Sequence, residues 1–89
     1  MEETAFRLAP PRQAHVAGIS LGVLAISPDV HDRFAVVGVS DRRAAAPRSY
    51  RVRAGDEVTV ADRVVRVDDV VPGPGGHVDL VVRWPEEPG

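Results

Sequence analysis

The sequence predicts an all-β domain, a small antiparallel β-barrel or two-layer β-sandwich of six to eight short strands, and three observations carry the prediction. Seventeen of the 89 residues are valine, whose branched Cβ fits a pleated sheet better than the crowded flank of a helix. Apolar and polar residues alternate in short runs, the period of a half-buried strand. Proline and glycine, eight of each, break these runs at short intervals, and no stretch carries a convincing three-turn helix. With two phenylalanines, one tyrosine and one tryptophan, the core must be aliphatic and thin. No cysteine is present, which removes disulfides, thiolate catalysis and cysteine-ligated zinc together.

Ala5 to Ala9 begins an edge strand, with Phe6 and Leu8 facing one way and Arg7 the other, and Pro10-Pro11 stops it because proline offers no ladder N–H. Ala14 to Ser27 is the most apolar segment. Ile19, Leu21 and Val23 keep a spacing of two, and the parity then shifts at Leu24 and Ile26, which calls for two-sided burial or a bulge near Gly22. Ser27-Pro28-Asp29 reads as a turn, followed by a loop or one helical turn to Arg33. Phe34 to Ser40 is strongly β and suits the centre of a sheet: Ala35, Val37 and Val39 line one face, Phe34, Val36 and Gly38 the other. After a solvated connection over 41–48, Tyr50, Val52 and Ala54 alternate with Arg51 and Arg53. Gly55-Asp56 turns the chain into Val58 and Val60, and Ala61-Asp62 reverses it into Val65 and Val67. The next buried position is Val70, not Asp69, which requires a bulge at Asp68-Asp69. Pro72 to Gly76 is a loop, and Val78, Leu80, Val82 and Trp84 define the core face of a last strand. These elements form one domain over 1–84 in a meander-like arrangement, with a tail over 85–89.

All eleven basic residues are arginine, against thirteen acids, for a net charge of −2. Such a balance argues against a general nucleic-acid binder. Charge is blocked along the chain: four acids and two arginines over 1–32 give −2, eight arginines and four acids over 33–66 give +4, and five acids with Arg83 over 67–89 give −4. No signal-peptide pattern follows Met1-Glu2-Glu3 and no apolar run approaches the ~20 residues of a membrane span, so a cytoplasmic location without membrane contact is expected.

The catalytic roles stay unfilled, so the chain is expected to act without chemistry, and the sequence decides no more than that about enzymatic activity. Asp68 and Asp69 are adjacent and diverge in an extended strand, Ser20, Ser27, Ser40 and Ser49 lack a nucleophile-elbow context, and the Gly73 to Gly76 run has no partner lysine or following helix. Asp29, His31 and Asp32 offer oxygen and nitrogen donors within four residues, but no His-x-His or helical His pair supports a metal site, and no cofactor is expected.

The arginines are the main candidate binding residues. Arg42, Arg43, Arg48, Arg51 and Arg53 fall within twelve residues, and Arg66 lies on the neighbouring hairpin. On one outer face they would receive a protein partner or an acidic small molecule, or else pair with Glu57, Asp62, Asp68 and Asp79 as ordinary surface. Exposed aromatics interleaved with them, the stacking platform of a nucleic-acid site, are missing. The chain thus reads as a non-catalytic binding or accessory protein acting through an arginine-rich sheet face. The alternative is a small-molecule-binding β-barrel, either a carrier or an enzyme that works by enclosing its substrate. A homodimer that completes the thin core is a further expectation, with Val81 on the polar face of the last strand as its clue.

The stretch from Tyr50 to Val70, where the Gly55-Asp56 turn leads into a short strand, a tight turn and a strand ending near a valine, resembles a group of small uncharacterised actinobacterial β domains. The arginine-only, valine- and alanine-rich composition is similar to that of high-GC actinomycete proteins, in which such small proteins are often met beside secondary-metabolism genes. The resemblance covers residues 50–83 and implies the β architecture. It carries over no catalytic residues.

Overall fold

Period-two alternation gives each strand one apolar face, and such faces are stable only when covered. In the computed structural model, which describes residues 2–41, 47–60 and 62–85, eight strands cover one another as two four-stranded antiparallel sheets. They are β1 (Glu2–Leu8), β2 (Gln13–Val16), β3 (Ile19–Ile26), β4 (Ala35–Asp41), β5 (Arg48–Val52), β6 (Glu57–Val60), β7 (Arg63–Val71) and β8 (His77–Trp84). Sheet A has the order β1-β8-β7-β6 and sheet B the order β2-β3-β4-β5. Of the two architectures the sequence leaves open, the sandwich is the one formed.

Read around the molecule, consecutive strands stay adjacent and β8 returns to pair with β1, which is the connectivity of an up-and-down meander. Its ladder is interrupted where the chain changes layer. The first corner, Ala9 to Arg12, holds the cis Pro10-Pro11 peptide and an Arg12 N–H to Ala9 carbonyl bond of 2.8 Å. At the second, between β5 and β6, the Arg53 N–H donates to Asp56 Oδ2 at 2.8 Å and Gly55 takes φ +92°. Four edges therefore remain. They are blunted by the brevity of β2 and β6, four residues each, by Pro47 ahead of β5, and by the arginines on β5.

The core is aliphatic, as the composition requires. Leu21, Ala35, Val78 and Val82 are wholly inaccessible, with Ile19, Val23, Val37, Val65, Val67, Val70 and Leu80 beside them. Phe6, Tyr50 and Trp84 are only partly buried and pack against the margin of this cluster. Both parity breaks in the sequence are bulges. The β3–β4 register shifts between Val23 and Ala25, and the β7–β8 register between Val67 and Asp69. The apolar stretch from Ala14 to Ser27 departs from its single-segment reading: β2 and β3 form a hairpin in which Ala17 and Gly18 take φ +51° and +80°. Two successive positive φ values match the twist of the flanking strands. Alanine gave little sign of this, because its Cβ disfavours that region.

Two changes test this packing. Leu80→Ala is expected to destabilise the domain by about 2–5 kcal/mol through an unfilled cavity, whereas Val30→Ser, at a site 55% exposed, should change stability by less than about 0.5 kcal/mol in urea titrations. Ala17→Asn should raise stability by about 0.5–1 kcal/mol, because asparagine tolerates the left-handed region that this turn imposes.

Candidate functional site

Because the inner faces are committed to the core, the broadest surfaces open to recognition are the two outer faces, and these differ in chemistry. On sheet A, cross-strand register sets acids against arginines. Arg7 lies opposite Asp79, with Nε 2.9 Å from Oδ1. Arg83 lies opposite Glu3 at 3.7 Å, and Arg66 lies opposite Glu57 and bonds Asp68 at 2.8 Å. The hydrogen bond and charge of Asp79 push the Arg7 guanidinium above its ordinary range, and Asp68 does the same for Arg66. Arg7 is exposed and Arg66 partly so, and such solvated pairs steer side chains more than they stabilise the fold. Within this network Val81 sits between Ala5 and Arg66 and is 7% exposed. Its apolar area is already covered in the single chain, which removes the clue to a dimer.

Sheet B presents no carboxylate at its outward strand positions, which are Gln13, His15, Ser20, Gly22, Ala25, Val36, Gly38, Ser40, Ser49 and Arg51. Asp41 falls on the inward parity of Val37 and Val39. Arg51 stacks over Phe34, with Cζ 3.8 Å from the ring centroid, and Arg53 approaches the same ring at 5.8 Å. Arg53 also pairs with Asp32, Nη1 to Oδ1 2.6 Å. Arg48 opens edge strand β5 and makes no ion pair among the described residues.

The sequence-predicted arginines are therefore divided. Arg48 and Arg51 belong to sheet B, Arg53 stands at the corner after β5, and Arg66 lies on the outer face of the opposite layer. Arg42 and Arg43 lie outside the described residues. One alternating pattern thus served both layers, and only strand pairing shows which arginines are neighbours.

Beside Arg48 runs a feature the sequence did not reveal. A trough of about 540 Å³ crosses the outer face of sheet B, lined by Gln13 of β2, Ser20, Gly22 and Leu24 of β3, Gly38 and Ser40 of β4, and Arg48 and Ser49 of β5, with Pro47 at one end. Gly22 and Gly38 face each other in register and form its floor. Leu24, the residue displaced by the β3 bulge, is 61% exposed and lies over Gly38, where a Cβ would stand 3.5 Å from its Cδ1. The available signal was the pair of strand-interior glycines next to a parity break.

Next to the trough, His15 Nδ1 and Ser20 Oγ are 2.7 Å apart across the β2–β3 ladder. Nucleophilic use of such a pair needs a third group to orient the ring, and His15 has no second side-chain partner among the described residues. The Asp29 to Asp32 cluster has structural partners: the Asp29 N–H donates to Ser27 Oγ at 3.1 Å, Asp29 Oδ1 accepts from the His31 N–H at 2.8 Å, and Asp32 holds Arg53. Among the described residues no three histidine or carboxylate side chains are grouped to hold a metal ion, and no helix is long and apolar enough to cross a membrane.

Fold and surface together define a small antiparallel β-sandwich with one ion-paired face and one troughed face whose outward strand positions carry Arg51 and no carboxylate. Comparison with protein-family models, with curated proteins and with solved structures finds no match for the chain.

The exposed Asp32–Arg53 pair is expected to show a coupling below about 1 kcal/mol in a double-mutant cycle of Asp32→Asn and Arg53→Gln, falling further in high salt.

Proposed function

We propose that this protein is a non-catalytic binding or accessory domain that recognises an acidic segment of a partner protein on the outer face of sheet B. The observation that carries the reading is the contrast between the faces. The arginines of sheet A have carboxylates within reach, whereas Arg51 stands on a face whose outward strand positions carry none. Unmatched guanidinium groups at a sheet surface are suited to carboxylates, which they bind through paired N–H donors. Phe34 supports Arg51 from below and limits its freedom, so less side-chain entropy is lost when an anion arrives. Complementary charge also speeds encounter and excludes basic partners.

Fluorescence anisotropy with a labelled peptide alternating glutamate and serine checks this assignment. Binding should weaken with salt, fall about tenfold in Arg51→Glu, and stay within about twofold of the unmodified protein in Arg66→Glu. Equal loss in Arg66→Glu, or equal binding of a lysine-serine peptide, would refute the sheet B face.

A further inference from the structure

We infer that the chain forms a reversible two-fold dimer in which edge strand β1 of one copy pairs antiparallel with β1 of a second copy about Ala5. The pairing joins the two four-stranded A sheets into one continuous sheet.

β1 is the edge that the fold leaves open. It spans seven residues and pairs with β8 on one side, so along its other side the backbone N–H and C=O groups meet no strand among the described residues. The brevity that blunts β2 and β6 does not apply to it, and no proline or bulge interrupts it. What it carries is charge, at Glu2, Glu3 and Arg7. Charged side chains on an edge ordinarily deter pairing. Here their arrangement selects one partner, a second copy of the same strand.

A two-fold axis normal to the sheet keeps outward residues outward, so Glu3, Ala5 and Arg7, which share the outer face with Asp79, Val81 and Arg83, can meet only one another across it. With the axis at Ala5, each Glu3 lies opposite the partner's Arg7, Thr4 lies opposite the partner's Phe6, and Glu2 lies opposite the partner's Leu8. Centring the pair on Glu3 or on Arg7 sets like charges face to face, as does parallel pairing in register. Centring it on Thr4 or Phe6 leaves one of the two charges opposite Ala5 and the other beyond the partner strand. Ala5 is also the midpoint of Glu2–Leu8, so the register that matches the charges is the one that pairs the whole strand.

The side chains are free to make these contacts. Those of Glu3 and Arg7 are 63% and 69% exposed in the single chain. Arg7 reaches Asp79 through Nε and Nη2, and the remaining donors of the guanidinium can serve the partner's Glu3. The outer face then carries a row of alternating sign: Asp79, Arg7, the partner's Glu3 and the partner's Arg83. On the inner face Phe6 is only partly buried at the margin of the core. Across the axis the two Phe6 side chains are diagonal neighbours about 7–8 Å apart, within aromatic reach, so pairing joins the two cores where each is thin. A two-fold contact closes at two copies and does not grow into a fibre.

Sedimentation equilibrium of the full chain tests the inference. The average mass should rise from one copy toward two between about 1 μM and 1 mM, as suits a ladder of one strand per copy at the small end of specific interfaces. Glu3→Arg and Arg7→Glu each set two like-charge pairs across the axis and should each weaken self-association about tenfold. An equimolar mixture of the two variants should dimerise like the unmodified chain, because one then brings two cations to the other's two anions. Ala5→Cys reads the register without either charge variant: opposed Cα atoms about 5 Å apart lie within disulfide reach. The chain has no cysteine of its own, so mild oxidation should link two copies at position 5 and leave Val30→Cys, at a site 55% exposed, unlinked. A chain that stays monomeric at about 1 mM, a dimer that survives both charge reversals, or linkage at position 30 as fast as at position 5 would each overturn the inference.

Discussion

The rest of the molecule depends on the contact between the inner faces of β3–β4 and β7–β8, in which nothing larger than leucine or isoleucine is fully buried. Two aliphatic faces that interdigitate at the ~10 Å separation of packed sheets can exclude water without aromatic residues. The requirement is strict alternation over both central pairs, since a slip of one residue would turn each valine row outward. That constraint uses most of the large apolar residues and leaves the three partly buried aromatics at the margin. It also releases the outward positions from any packing duty, so the two outer faces are free to differ.

The bulges lie where alternation has to be broken without loss of the core. In β7 the extra residue frees Asp68 to meet Arg66 and returns Val70 to the inner face. In β3 it frees Leu24 and restores Ile26 to the side that packs on the core. The same local device thus yields an ion pair on one layer and an exposed apolar wall on the other. The layers are also fastened by a contact that no periodicity announces: Arg63 at the start of β7 donates through Nε to the Ala17 carbonyl of the β2–β3 turn at 2.6 Å, and it also pairs with Asp62. A guanidinium with several donors in one plane can satisfy a turn carbonyl and a carboxylate together.

Much of the fold was legible because alternation is a local signal. The strands from 34 onward, the central position of β4, the turn at Gly55-Asp56 and the bulge at Asp68 all follow from which neighbours share a face. The Ala17-Gly18 hairpin escaped because its first residue is an alanine held at positive φ, a conformation imposed by the pairing of β2 with β3. The candidate site was only half legible. The outward position of Arg51 follows from its alternation with Tyr50 and Val52, but Arg48 falls on the inward parity of Val39, and Arg66 has the same outward look as Arg51 and belongs to the other layer. The trough arises from Gly22, Gly38 and Leu24 meeting across a ladder, a relation that exists only once the register is fixed.

The blocks of charge along the chain acquire a meaning from this topology. A meander keeps sequence neighbours in one sheet, so sheet B is built wholly from residues 13–52 and its outward strand positions receive Arg51 with no acid. Sheet A joins the last three strands to the first, because β1 pairs with β8. That pairing brings Glu3 to Arg83 and Asp79 to Arg7, and the bulge of β7 adds Asp68 beside Arg66. Glu3, Asp68 and Asp79 from the two acidic ends are therefore matched to arginines on their own layer. No strand carries them across the two corners to sheet B, and the lack of a carboxylate beside Arg51 at its outward strand positions follows directly from where the chain changes layer.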